Sequence, residues 1–558
     1  MREGLAIYVA GAEQPFTFAA DARLERWIKN YVQPGFSSVS RNTNRSDVSN
    51  VFISQKNLLK TEFHNHVGAI SFTSDMWTGV NDLGFLSLTA HYVDPTSWVM
   101  HKRIIALRMI PFPHTRLEIY KCISSIFTEY NISNKCFSIT FENHSANTNA
   151  IDNFKRARFV AFYQDALFHV RCVCHIIARV VNDGMDTIKK DEELDFIRRI
   201  RDAIKYITTG SSRVQKYSEI CTSNRLNPRK LMLDCGTRWN STYLMLKACE
   251  GYEKAIIEYV MSSADCVVNL EMIDFEVCSL FMTFLETFYD ATNVLSGIYY
   301  PTSHIVINQL YNMTQAFVDC RGYDIYDKVL YAMELKFKKY FEPIPPIYYL
   351  ASIMDPRKKL QHTMVLITKI CENLNIPVLD TVEKVMEKLS SLFTHYENIY
   401  GSNVQRTNVI TPRPHTKTKD LSWSLLANAS RGCGPLGVSS SNVAGTRALN
   451  DLEKYLQATT VDNVDDFDIL GWWRLNGINF PVVQIMARDL LTPPASTVAS
   501  ESTFSACGRV LDEKRSRLKS EMLESLICVK DWDDAKYRDQ AYTDEIAVEF
   551  ERLGVIDD

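Results

Sequence analysis

Three acidic residues stand where apolar runs give out. Asp75 closes Ser71-Phe72-Thr73-Ser74-Asp75, Glu142 follows Ser138-Ile139-Thr140-Phe141, and Glu501 lies in Ser500-Glu501-Ser502-Thr503 shortly after Thr492-Pro493-Pro494. Carboxylates on separated segments are what a two-metal phosphoryl-transfer site needs, since hard Mg²⁺ takes oxygen ligands and two ions must clamp the attacking and leaving oxygens. A second group is basic. Residues 196–230 carry nine Lys or Arg, among them Arg198, Arg199 and Arg201, against two acids, Asp202 and Glu219. An excess of seven charges can bias phosphate contacts, and a solvated helix face accounts for the same residues equally well.

The elements that must position these groups are legible in outline. Apolar runs at 69–74, 84–93 and 98–110, broken by Asn81-Asp82 and Asp94-Pro95, predict an antiparallel meander of three strands. A helix fits Leu117 to Tyr130, with Ile119, Ile123 and Ile126 on one face, followed by a strand over 136–141. A helix over 147–164 and a short apolar run at 167–172 complete the pattern. Three meander strands, a helix, a strand, a helix and a strand give the order of a ribonuclease-H-like fold, which places Asp75 and Glu142 on neighbouring central strands. Ahead of it, residues 1–66 read as a helical segment, with Trp27, Ile28, Tyr31 and Val32 at helical spacing, and then as a polar, extended linker over Ser37–Ser46.

After residue 174 the periodicity is helical to about 400. Residues 401–447, with Thr411-Pro412-Arg413-Pro414 and Ser439-Ser440-Ser441, read as a disordered loop or linker. Helical periodicity returns over 448–540, where Leu518, Met522, Leu526 and Val529 form an apolar stripe and Trp472, Trp473 and Trp532 add large surface. This excess of hydrophobic area predicts a homodimer or higher homo-oligomer through these residues. The fold class is α/β plus α: a ribonuclease-H-like core, its first part over 67–180, interrupted by a long helical insertion over 181–400, and a tail over 541–558.

Composition narrows the class. The chain has 558 residues, 46% of them hydrophobic, enough for large cores. No apolar run approaches the roughly 20 residues of a membrane span, and the N-terminus lacks a signal-peptide core, so no membrane partner and a cytosolic or nuclear location are expected. The 14 Cys show no repeated CxxC pairing, which predicts buried reduced thiols. A formal net charge of −4 confines any nucleic-acid contact to patches.

Several ordered blocks carry a family likeness: Thr73-Ser74-Asp75-Met76-Trp77-Thr78, Cys172-Val173-Cys174-His175, Asp234-Cys235-Gly236-Thr237-Arg238-Trp239, Asp355-Pro356-Arg357, Leu470-Gly471-Trp472-Trp473 and Ser500-Glu501-Ser502-Thr503-Phe504-Ser505. The chain resembles hAT-superfamily transposases, in particular the plant transposase-derived DAYSLEEPER/RICESLEEPER group. The resemblance implies a nuclear, DNA-binding protein with a C-terminal dimerisation region. It also implies Asp75, Glu142 and Glu501 as catalytic acids, holding Mg²⁺ if the site is active.

Glu142 stands where the family has Asp. One added methylene displaces the carboxylate by about 1 Å, against a tolerance of about 0.2 Å for metal ligands. By the same resemblance Trp239, with Arg238 beside it, is expected either to stack on an extruded base or to be a core aromatic. Cys172 and His175 are expected to have a structural or DNA-contacting role, two ligands being too few for zinc. The family implies a BED zinc finger ahead of the core, and no Cys/His quartet of that spacing precedes residue 66. Site-specific DNA recognition is therefore expected to be weakened or lost. A DNA-binding factor without catalysis is favoured over an active cut-and-paste transposase.

Overall fold

The computed structural model describes residues 1–79, 83–143, 151, 153–154, 169–191, 194–236, 238–403, 449–464, 466–511 and 518–538. Strands β1 (Ile70–Thr78), β2 (Gly84–Val93) and β3 (Met100–Ile110) form the expected antiparallel meander. β4 (Cys136–Phe141) and β5 (His169–Arg171) add in parallel, giving the order β3-β2-β1-β4-β5. β1 and β4 are thus neighbours, as the element order predicts. The Arg116–Tyr130 helix connects β3, at one edge, to β4; it is opened by Thr115 capping Glu118 N and closed by Asn131 in the left-handed conformation (φ 54°). Ile119, Ile123 and Ile126 are fully buried beneath it.

β1 runs four residues past the predicted 69–74, because its pairing with β2 continues to Thr78↔Gly84 after the pairing with β4 stops at Ser74↔Phe141. Alternation then sorts the side chains. Ser71 and Ser138 share a hydrogen bond of 3.0 Å, and Thr73 receives one of 3.2 Å from Ser500. The odd positions of β1 and the even positions of β4 therefore make one polar face, while Phe72, Ile139 and Phe141 fill the apolar one.

Two hydrophobic cores result. One gathers the N-terminal helices, most of the sheet and residues 504–532; the other gathers the helices from Val173 to Tyr396 with residues 452–495. The linker expected over Ser37–Ser46 is shorter than that. Ser40 accepts from Thr43 N at 3.2 Å and starts a helix at Arg41 that runs to Asn65, held by buried Val48, Val51, Leu59 and Phe63. Where the chain leaves it, Gly68 takes φ 117°, and a Cβ there would lie 2.3 Å from the Arg488 guanidinium.

The C-terminal stripe also departs from expectation. Met522, Leu526, Val529 and Trp532 are at most 6% exposed, with Leu518 packed against them. The Ser520–Tyr537 helix lies on β3 and the N-terminal helices; Trp532 Nε1 donates to Ile104 O at 2.8 Å, and Lys102 pairs with Asp531 at 2.7 Å. Trp473 is fully buried and donates to Met354 O at 2.9 Å, with Trp472 edge-on against it. These side chains close this chain's own cores rather than offering a free apolar face to a second copy. The helix expected over 147–164 (save residues 151, 153 and 154), the stretch from 404 to 448 and the tail over 541–558 lie outside the described residues.

Candidate functional site

Asp75 is the first β1 residue beyond the end of β4, and Glu142 directly follows the last residue of β4. Both sit at the edge of the polar face. Glu501 comes from the first turn of the Val498–Val510 helix, which lies on that face through the Ser500–Thr73 bond. Asp75 is 7% exposed, and its Oδ1 accepts from Met76 N at 2.7 Å. Burial raises the Asp75 pKa well above the ordinary range, and the Glu142 and Glu501 charges add to it. Burial, then Glu142, pushes Glu501 up to about 7, against a Thr497 hydroxyl that donates to its Oε1 at 3.0 Å. Mutual elevation of this kind requires the carboxylates to be close.

The donor type suits Mg²⁺, since all three side chains offer carboxylate oxygens. The arrangement does not. Among the described residues no three His, Cys, Asp or Glu side chains stand together as a group able to hold a metal ion. Glu142 Oε1 lies 3.6 Å from His175 Nδ1, and its charge acts on both Asp75 and Glu501.

The helix Val173–Lys190 brings His175 there. Its N-cap is Cys172, fully buried, whose Sγ accepts from His175 N at 3.5 Å and from Thr497 N at 3.4 Å. Cys172 is a structural joint, its thiol pKa raised by burial. His175 reaches the acidic site. Arg179, one turn on, donates from Nε to His175 Nε2 at 2.9 Å, a partner with no signal in the motif itself beyond its i, i+4 spacing.

Glu501 is held by a segment the sequence marked only by its prolines. Pro493 O accepts from Ser303 Oγ, Pro494 O from Thr140 Oγ1 at 2.8 Å, and Ala495 O from Val173 N at 2.8 Å. Ala495 N donates to Thr302 Oγ1 at 2.9 Å. Sheet, helix and insertion thus fix the approach to Glu501 from three sides. Thr302, Ser303 and Thr497 were missed because isolated hydroxyls carry no spacing signal.

The basic cluster has a different outcome. Arg201 forms a bidentate pair with Asp234 at 2.7 and 2.6 Å, and Thr242 donates to the same carboxylate at 2.6 Å. Arg199 reaches Asp274 at 2.6 Å, and Arg198 reaches Asp195 at 2.7 Å. Arg199 and Arg201, expected to contact DNA, are instead neutralised by carboxylates 75 and 33 residues away that the local sequence does not show, while Arg198 pairs with Asp195 at the N-cap of its own helix. Trp239 is 4% exposed and sits in the core, which decides for the core aromatic over the stacking platform. Arg238 beside it is half-buried, its carbonyl accepting from Ser241. Arg225, Arg229 and Lys230 are exposed.

Family comparisons follow this division along the chain. The ZBED1 RNase-like domain matches residues 73–161, the ZBED1 RNase-like helical domain 170–274, a hAT-like transposase RNase-H fold 304–396, and the hAT family C-terminal dimerisation region 451–532. The chain belongs to the hAT transposase superfamily. A zinc finger BED domain-containing protein RICESLEEPER 2 from Oryza sativa subsp. japonica is 27% identical over 90% of this chain and 70% of its own length. A putative AC transposase from Zea mays is 28% identical over 95% of this chain and 65% of its length. DAYSLEEPER of Arabidopsis thaliana is 24% identical over 90% and 69%. The hAT chain described here therefore spans about two thirds of the length of such relatives. Among its described residues no helix is long and apolar enough to cross a membrane.

Proposed function

We propose that this chain is a transposase-derived nuclear protein that binds DNA, dimerises and has lost transposition activity. The observation that carries the reading is the acidic site: Glu142, longer by a methylene than the Asp the resemblance implies there, lies 3.6 Å from His175, and among the described residues no three side chains stand as a group able to hold a metal ion. Dimerisation is supported by the match over residues 451–532 to a hAT dimerisation region, and nuclear DNA binding by likeness to relatives named as transposases and BED-domain proteins. DNA contact falls to exposed Arg225, Arg229 and Lys230 rather than to the paired arginines, so binding is weak, salt-sensitive and largely independent of sequence.

The test is strand cleavage on a transposon-end DNA with Mg²⁺ or Mn²⁺. The wild-type chain gives no cleavage, and Glu142→Asp restores some. Light scattering at micromolar concentration gives at least a dimer. Robust cleavage by the unmodified chain favours a second reading, an active cut-and-paste transposase, which the convergence of Asp75, Glu142 and Glu501 supports.

A further inference from the structure

Between the Ser211–Ser223 helix and the Trp239–Lys247 helix the chain turns two adjacent large apolar side chains to solvent, Met232 at 58% exposure and Leu233 at 45%. One exposed leucine on a protein surface is ordinary, and a slack loop would fold such a pair back onto the protein. This loop is pinned on both sides of the pair. Leu231, immediately before it, is 3% exposed and belongs to the core. Asp234, immediately after it, is buried and held by the two bonds from Arg201 and by the Thr242 hydroxyl. Further out, Tyr252 Oη donates to Asn227 O at 2.6 Å, and Cys235 N donates to Ser241 Oγ at 2.9 Å. The fold therefore presents Met232 and Leu233 as a fixed apolar tip.

The surroundings of the tip select what it can meet. Residues 224–233 hold three cations, Arg225, Arg229 and Lys230, and no acid. All three are exposed, and Arg229 is given a fixed direction by lying 4.6 Å from the centre of the Tyr252 ring and donating to Ala248 O at 3.2 Å. An apolar tip flanked by cations fits a stacked, apolar interior bordered by anions, which is what a DNA duplex offers between its two phosphate backbones. Side chains of the Met and Leu type enter between base steps from the minor groove while Arg and Lys stay on the polar edges. The reach agrees: Lys230 and Met232 lie two residues apart, at most about 7 Å along the chain, and the minor groove is about 7.5 Å deep.

We infer that Met232 and Leu233 are a wedge that enters between adjacent base pairs of duplex DNA from the minor groove, with Arg225, Arg229 and Lys230 on the flanking phosphates. The inference rests on the DNA-binding part of the function proposed above and deepens it, by naming the duplex and the distortion imposed on it. Such a wedge reads no base edge, so it favours easily unstacked pyrimidine–purine steps over a defined sequence.

The probe is a duplex of about 20 base pairs with 2-aminopurine in place of the adenine of a central TA step, a flexible step whose fluorescence rises when stacking is broken. At about 50 mM salt the full chain at saturation raises the fluorescence roughly twofold. Met232→Ser combined with Leu233→Ser keeps the salt dependence of binding, because the phosphate contacts remain, and loses the rise. Met232→Leu retains it. Arg225→Gln combined with Lys230→Gln does the reverse: the salt slope flattens by about two contacts, and the rise persists once the duplex is saturated. Circular dichroism checks that each variant is folded; if the double serine variant is not, Met232→Glu, which sets a charge against the base stack, replaces it with the same expected loss. Wild-type binding without a rise in fluorescence overturns the wedge and leaves DNA binding standing, and so does a full rise in the folded double serine variant. Failure of the wild type to bind the duplex at this salt sinks the DNA-binding reading and the wedge together.

Discussion

The end of the sheet and the Phe196–Thr208 helix hold charge in opposite ways. At the sheet end the carboxylates of residues 75, 142 and 501 approach one another, and burial together with their mutual repulsion raises the pKa values of Asp75 and Glu501. Along the helix, Arg198, Arg199 and Arg201 each meet an aspartate. Like charges brought together raise the free energy of the fold and persist where something other than stability selects them. Opposite charges brought together need no function to explain them. The same count of charged residues in a sequence window therefore means a site in one region and a scaffold in the other.

The largest effect expected from this contrast is on the scaffold side. The Asp234 side chain is 1% exposed and carries a bidentate arginine and a threonine. Arg201→Met leaves that carboxylate buried with one neutral donor and lowers unfolding stability by about 3 kcal/mol, measured by urea titration with DNA absent. A change below about 0.5 kcal/mol would return Arg201 to the class of free surface charges.

The acidic side responds with the opposite sign. A folded-state pKa near 7 for Glu501, above the ordinary glutamate value, means that folding opposes its ionisation. The penalty is absent below about pH 4.5, grows as pH rises and is complete above the folded value of about 7. Glu501→Gln is thus more stable than wild type at pH 8 and equal to it at pH 4. The Glu501 residue as a whole keeps some contact with solvent although its carboxyl is desolvated, and the gain is discounted accordingly to about 1 kcal/mol. The same difference in stability between Glu501→Gln and wild type at both pH values, read from urea curves, would remove the mutual repulsion on which the contrast rests.

The smallest effect separates paired from unpaired cations in DNA binding. Neutralising Arg225 and Lys230 flattens the salt dependence of DNA affinity by about two phosphate contacts, while Arg198→Ala changes it by less than one. Equal slopes for the two variants would show that pairing within the chain does not decide which cations meet DNA.

Much of the core was legible in advance. The meander, the Arg116–Tyr130 helix and β4 follow from period-2 and period-3.6 patterns that each element shows alone. The stripe Leu518, Met522, Leu526 and Val529 was equally visible, yet its partner was not, since an amphipathic helix looks the same whether it faces a second chain or β3 of its own. The start of the Arg41–Asn65 helix was obscured by polar residues that turn out to be a cap and a first turn. His175 was singled out by spacing, but its orientation depended on Arg179 and on the Pro493–Thr497 segment arriving from more than three hundred residues away.

What the sequence alone determined is the set of carboxylates and the strands that carry two of them, because alternation along β1 and β4 assigns Asp75 and Glu142 to a face from local pattern. Whether those carboxylates share a ligand is not a local property. It depends on distances of a few tenths of an ångström between segments hundreds of residues apart, fixed by Thr302, Ser303, Cys172 and Thr497 holding one loop in place. The same holds for Arg199 and Arg201, whose charge is written in the chain and whose neutralisation by Asp274 and Asp234 exists only once distant segments pack.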